Sequence, residues 1–171
     1  RAGMDDAYAI GPPAIVFPAV RRYKDSLASE LDLELREDKC AYFMDGDAMH
    51  AHDAAQHGRG PSIAEMAGSI PRGCITDGNG TQHYGIKVYG VPIGTDDFVR
   101  VYLDYKCEKV LGTCAHISTS LSLSHLQSLW TCVYSSFQHH LTYWAQCCYP
   151  SCTQAALHRF DVGLLDCAKQ G

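Results

Sequence analysis

Apolar positions recur at intervals of three and four over Val16, Val20, Tyr23, Leu27 and Leu31, which predicts a helix with one apolar stripe. Pro18 falls inside that stripe, so the helix either kinks there or starts near it. The period then drops to two at Leu31, Leu33 and Leu35, which predicts a short strand for the stripe to pack on. Cys40 to Met44 is a second apolar run of strand length. Residues 45–82 are rich in Gly, His, Asp and Ala and lose periodicity, so they read as an irregular insertion. Alternation returns over residues 83–94, which read as strand and end in Gly-Val-Pro-Ile-Gly. Beyond that the spacing is helical. Thr95 is placed to cap a helix, with Asp96 and Asp97 favourable in its first turn and Val99, Leu103, Lys106 and Val110 continuing it. The clearest helix has Leu126, Trp130, Val133, Phe137, Leu141 and Trp144 on one face, and both tryptophans read as core. Pro150 is expected to close that region, and Thr153 to cap a last helix through Leu157, Phe160 and Leu164.

Composition agrees with a packed chain. Of the 171 residues, 46% are apolar and 19% charged, which excludes disorder. No apolar run approaches the roughly 20 residues of a membrane span, so no membrane partner is expected. No secretory leader is visible, and the nine cysteines therefore read as mostly reduced thiols of an intracellular protein. The formal charge of −5 counts against tight template binding by this piece alone, because nucleic-acid binders carry a basic face. A local basic patch remains compatible with it.

The densest chemistry is at Gly3-Met4-Asp5-Asp6-Ala7-Tyr8. Adjacent carboxylates repel, and burial would penalise both. A tight turn holding them is useful mainly where cations sit on it, as when two Mg²⁺ ions activate a hydroxyl and stabilise a departing pyrophosphate. Taken alone, the dipeptide reads as a solvated acidic pair.

It is followed in order by Ala-Ile-Gly-Pro-Pro, an amphipathic helix, the segment Leu31-Asp-Leu-Glu-Leu-Arg-Glu-Asp-Lys39-Cys-Ala-Tyr-Phe43, and Gly85-Ile-Lys-Val-Tyr-Gly-Val-Pro-Ile-Gly94. That order resembles consecutive motifs of the reverse transcriptase palm, especially of non-LTR retroelement type. Met4-Asp5-Asp6 is similar to motif C. The Leu-x-Leu-x-Leu…Lys-Cys segment is similar to motif D, and Val88-Tyr89-Gly90-Val91-Pro92 to motif E, the primer grip. The helical remainder through Phe160-Asp161 resembles the thumb or connection region. The resemblance spans nearly the whole chain and is weakest over 45–82.

The resemblance implies an RNA-directed DNA polymerase, a nucleotidyltransferase of mobile elements that uses Mg²⁺ (or Mn²⁺), an RNA template, a DNA primer and dNTPs. Asp5 and Asp6 would be catalytic and bind the metal. Lys39 would assist the leaving group, since an ammonium can neutralise and protonate a developing pyrophosphate. Val88, Tyr89, Gly90, Val91 and Pro92 would contact nucleic acid, with Gly90 and Gly94 allowing close approach of main chain. A surface lysine and an ordinary glycine-turn hairpin are the plainer readings of the same residues. Two departures stand out. Gly3 replaces the usual aromatic residue, and the further metal-binding Asp of motif A and the fingers are not in this sequence. The chain therefore reads as a fragment, inactive alone, of a longer frame.

A second class of function rests on Cys147, Cys148 and Cys152, with His139, His140 and His158 nearby: a non-catalytic helical interaction module that binds zinc. The spacing lacks a C-x₂-C pair. His50, His52 and His57 read as solvated loop histidines. The expected fold class is α+β: a partial palm sheet of short antiparallel strands with one packed helix over residues 1–94, then a helical thumb-like region over 95–171.

Overall fold

The computed structural model describes residues 7–56, 59–120 and 125–170, without the side chains of residues 126, 129, 133, 138, 140 and 168–170. The protein is a mixed α+β chain, mostly helical, with one three-stranded antiparallel sheet. It divides into two compact units, Arg1–Gly73 and Cys74–Gly171. The 82–94 hairpin therefore belongs by its contacts with the helices that follow it, and the division falls at 73/74 where the sequence reading placed it after 94.

In the first unit, helix α1 spans Pro13–Leu31. Pro13 occupies its first turn, where the missing N–H costs nothing, and Pro18 is carried inside the helix. The expected stripe is only partly used. Val16, Val20 and Leu27 are half-buried and Tyr23 is exposed, while Phe17 is the buried residue of this helix. Phe17 meets Tyr42 edge-on, with ring centroids 5.6 Å apart, and joins Ile63, Met66 and Ala67 in a small core.

The strand expected over Leu31 to Leu35 is absent. The chain leaves α1 through Asp32 in the left-handed conformation (φ 51°), and the N–H groups of Asp32 and Leu33 both turn back to the Leu27 carbonyl. Leu31 and Leu33 are left exposed, so the alternation marks a helix end. Cys40 to Met44 likewise forms no strand. Its one ladder contact is an isolated bridge between Tyr42 and Arg72.

The insertion is more regular than its composition indicates. It contains α2 (Gly46–Gln56) and α3 (Ile63–Ala67). Ser62 and Glu65 form a reciprocal capping box at the start of α3, which holds the Glu65 carboxyl below its ordinary range. At its other end the Arg21 guanidinium donates to the Met66 carbonyl at 2.7 Å. His50 and His52 lie on α2, and His52 is half-buried with Nε2 enclosed. Both therefore stand on a helix and not in a loop; His50 is solvated as expected, His52 is not, and His57 falls outside the described residues.

In the second unit the strands are β1 (Cys74–Thr76), β2 (Gln82–Val88) and β3 (Val91–Gly94), in the order β1-β2-β3. The β1–β2 loop is organised by Asp77. One of its carboxylate oxygens accepts the N–H groups of Asn79 and Thr81, both at 2.9 Å, and the other meets His83 Nε2 at 3.1 Å. The His83 contact, then the Thr81 N–H, holds the Asp77 carboxyl below its ordinary value. A carboxyl depressed in the folded state stabilises the loop above its unfolded value and loses that contribution as pH falls through the folded one. Below about pH 4 the Asn79 and Thr81 amide resonances should therefore shift together. Asp77→Asn should abolish that titration; an unchanged titration in the variant would show that another group drives it.

Helix α4 (Asp96–Ser120) begins as expected. Thr95 Oγ1 accepts the Phe98 N–H at 3.2 Å, and Asp96 and Asp97 in the first turn pair with Arg100. Its buried face includes Phe98, Val99, Tyr102, Leu103, Cys107 and Cys114.

The next expected helix is broken into α5 (Leu126–Cys132), a π turn (Val133–Phe137) and α6 (Gln138–Cys147). A π turn takes an extra residue and rotates what precedes it. Phe137, Leu141 and Trp144 are accordingly buried, whereas Trp130 is 63% exposed and is not core. Pro150 opens α7 (Pro150–Gln170) as its first residue. Thr153 is no cap. It is buried in the first turn, with its hydroxyl on the Tyr149 and Pro150 carbonyls.

Helices α4 and α7 run side by side in the same direction. Their contacts climb together, from Cys107 at the Ala156 carbonyl, through Leu111 at Gly163, to Cys114 at Cys167. Gly163 permits this approach, since a Cβ there would lie 2.6 Å from a Leu111 methyl. Phe160 and Leu103 are sealed in the resulting core.

Candidate nucleic-acid interface

The residues expected to carry chemistry do not come together as one described site. Asp5 and Asp6 lie outside the described residues. Lys39 ends a single 3₁₀ turn, Glu37–Lys39, and its side chain is exposed. It follows no strand, because the segment before it forms none. Its neighbours are already paired: Glu37 with Lys24 at 2.5 Å, and Asp38 with Arg36.

The hairpin residues form a tight turn between paired strands. Val88 pairs with Val91 across a two-residue turn at Tyr89 and Gly90, both at positive φ (50° and 84°). This is the primed turn whose twist matches the flanking strands, and Gly90 meets its left-handed requirement without a steric cost. Pro92 is buried opposite Lys87, while the Tyr89 side chain is 72% exposed at the tip.

Helix α6 braces the tip from behind. The Tyr143 hydroxyl donates to the Tyr89 carbonyl at 3.1 Å, and the Trp144 indole N–H donates to the Gly90 carbonyl at 3.3 Å. Both carbonyls of the turn are thus fixed by protein donors.

Gly94 has a packing role of its own. A Cβ there would lie 2.5 Å from the Tyr84 carbonyl and 2.6 Å from Gly85 Cα, so the absent side chain is used inside the fold.

Beside the turn lies an open pocket of about 380 Å³. Lys87, Lys106 and His139 bring cationic and hydrogen-bonding groups to it, and Tyr102, Tyr143 and Trp144 bring aromatic surface. The Lys106 ammonium sits 5.6 Å from the Tyr102 ring centroid. The sequence reading passed over this constellation. Lys87 lies within the hairpin motif and Lys106 is one helical turn from Tyr102, so both were legible in principle. His139 was not, because its direction depends on the π turn.

Among the described residues no three of His, Cys, Asp and Glu gather as a metal site, around Cys147, Cys148 and Cys152 or elsewhere, and the His140 side chain lies outside the described ones. Cys147 is exposed, Cys148 half-buried and Cys152 buried. Burial, with lesser help from neighbouring charges and thiols, pushes Cys107 up to about 11 and Cys114 up to about 12, which keeps both protonated and poor as nucleophiles. All nine cysteines are free. No described helix is long and apolar enough to cross a membrane.

No family model, curated protein or solved structure matches this chain significantly.

Proposed function

We propose that the chain is the C-terminal palm and thumb part of a reverse transcriptase of the non-LTR retroelement kind, and that its hairpin tip touches the nucleic acid being extended. The observation that carries this reading is the 88–92 hairpin, a tight primed turn with an exposed tyrosine, both of whose carbonyls are held by α6. A grip on a primer end needs such rigidity, since positioning supplies most of the catalysis in phosphoryl transfer. The order of Met4-Asp5-Asp6, Lys39 and Val88 to Pro92 along the chain supports the same reading. In this reading Asp5 and Asp6 would hold Mg²⁺ or Mn²⁺, which would supply the Lewis acidity, and Lys39 would supply a proton to the leaving group. Template, primer and dNTPs would be bound together with the missing palm and fingers.

Two adjacent carboxylates alone do not fix two ions in the geometry of in-line displacement. The isolated chain should therefore not extend a DNA primer on an RNA template. It should still bind that duplex weakly, and Tyr89→Ala should reduce the affinity about fivefold in an anisotropy titration, by loss of one aromatic contact of about 1 kcal/mol. Extension that disappears in Asp5→Asn or Asp6→Asn would overturn the expected inactivity. Duplex binding indifferent to Tyr89→Ala would overturn the grip.

A further inference from the structure

We propose that the pocket beside the hairpin turn is a nucleoside-phosphate site, with Lys87 and Lys106 holding the phosphate and the aromatic wall, chiefly the exposed Tyr143 ring, holding the base. The inference does not rest on the polymerase reading. The pocket lies wholly within the Cys74–Gly171 unit and involves neither Asp5, Asp6 nor Lys39.

Charge comes first. The chain is acidic, at −5, yet no carboxylate lines this pocket. Among the described residues neither Lys87 nor Lys106 lies within ion-pair distance of a carboxylate, whereas Lys24, Arg36, Arg100 and Arg159 all do. Two unneutralised ammonium groups on different elements, β2 and α4, face one concavity. An anion seated there would be attracted by both. His139, from α6, adds a ring nitrogen on a third element.

The rest of the wall is aromatic. Tyr102 is 8% and Trp144 7% exposed, so both rings are held by the core. Tyr102 stacks on Phe98 at 6.2 Å and 20°. Tyr143 and Trp144 are fixed through their polar atoms to the turn carbonyls, so their rings are positioned without a ligand. An open space of about 380 Å³ lies within the range of small-molecule sites, which pair apolar walls with a few convergent polar groups. A plain anion would use the lysines and ignore the rings. An apolar ligand would do the reverse. A planar base joined to a phosphate uses both.

The phosphate could come from a free nucleotide or from a nucleic-acid chain, and the test separates the two. A Trp130→Phe background leaves Trp144 as the single indole reporter, since Trp130 is exposed. Adenosine 5′-monophosphate, adenosine, inorganic phosphate and a short single-stranded oligodeoxynucleotide are each titrated while the Trp144 indole N–H resonance is followed. The monophosphate is expected to saturate below about 1 mM, with adenosine and phosphate each at least fivefold weaker. Lys106→Gln and Lys87→Gln are each expected to weaken it about threefold to fivefold, the worth of an exposed charge pair. Lys87 is exposed on its strand, so its variant keeps the test valid should Lys106→Gln disturb α4. Equal binding of adenosine and its monophosphate overturns the proposal, as does indifference to both lysine variants or no saturation by 10 mM. Given saturation, a salt dependence steeper for the oligonucleotide, together with tighter binding, assigns the phosphate to a nucleic-acid chain, and equal affinities assign it to the free nucleotide.

Discussion

Phe160→Ala is expected to cost about 3–5 kcal/mol of stability in the Cys74–Gly171 unit, the range for emptying a buried aromatic position. Phe160 is 1% exposed on α7 and packs within the same cluster as Leu103, Cys107 and Trp144. The helices around it approach closely through Gly163, so they have little freedom to collapse into the space left behind. For a unit of this size that loss lowers the thermal midpoint by roughly 15–30 °C. Val162→Ala makes the control. It lies on the same helix at 45% exposure and should stay within about 0.5 kcal/mol. Thermal unfolding followed by far-ultraviolet circular dichroism reads both. If the two variants melted alike, the α4–α7 core described above would be wrong.

The second large effect is at the hairpin base. Gly94→Ala is expected to cost about 2–3 kcal/mol, because its Cβ would meet main-chain atoms of Tyr84 and Gly85 that have no rotamer to change. Gly85→Ala also creates a clash, with a Cβ 2.3 Å from the Phe98 ring, but there the obstacle is a side chain. Adding Phe98→Leu should therefore recover a measurable part of the loss in Gly85→Ala and almost none in Gly94→Ala. Urea midpoints of the four variants give the comparison. Equal rescue at both glycines would mean that the ring, and not the strand backbone, limits packing at Gly94.

Much of the second unit was legible because its signals are local. Thr95-Asp-Asp before an apolar stripe marks the start of α4, and the alternation over 83–94 marks strand, which the turn at Tyr89-Gly90 divides into β2 and β3. The first unit misled for a physical reason. Leu31, Leu33 and Leu35 alternate as a strand does, but no neighbouring strand accepts their backbone, and Asp32 ends the helix instead. The stripe on α1 also concealed Phe17, which stands one residue after Val16 and takes the buried position because α3 packs there. The insertion hid two helices behind low hydrophobicity, one of them announced by Ser62-x-x-Glu65. Trp130 failed as core because periodicity assumes a constant 3.6 residues per turn, and the π turn breaks that count. For the site, the hairpin was readable from turn chemistry. The pocket was not, since it joins β2, α4 and α6 across more than fifty positions of sequence.

Pro92 has a consequence for self-association. The pair Val88–Val91 closes the turn, so the next pair, Lys87–Pro92, is one in which backbone N–H groups point away from each other. On β3, an edge strand, that outward position is where another strand would seek a donor. Proline has none to offer. β3 is four residues long and silent at its second position, so this rim of the sheet is a poor template for strand addition. Pro92 thus guards this edge against growing into a larger sheet.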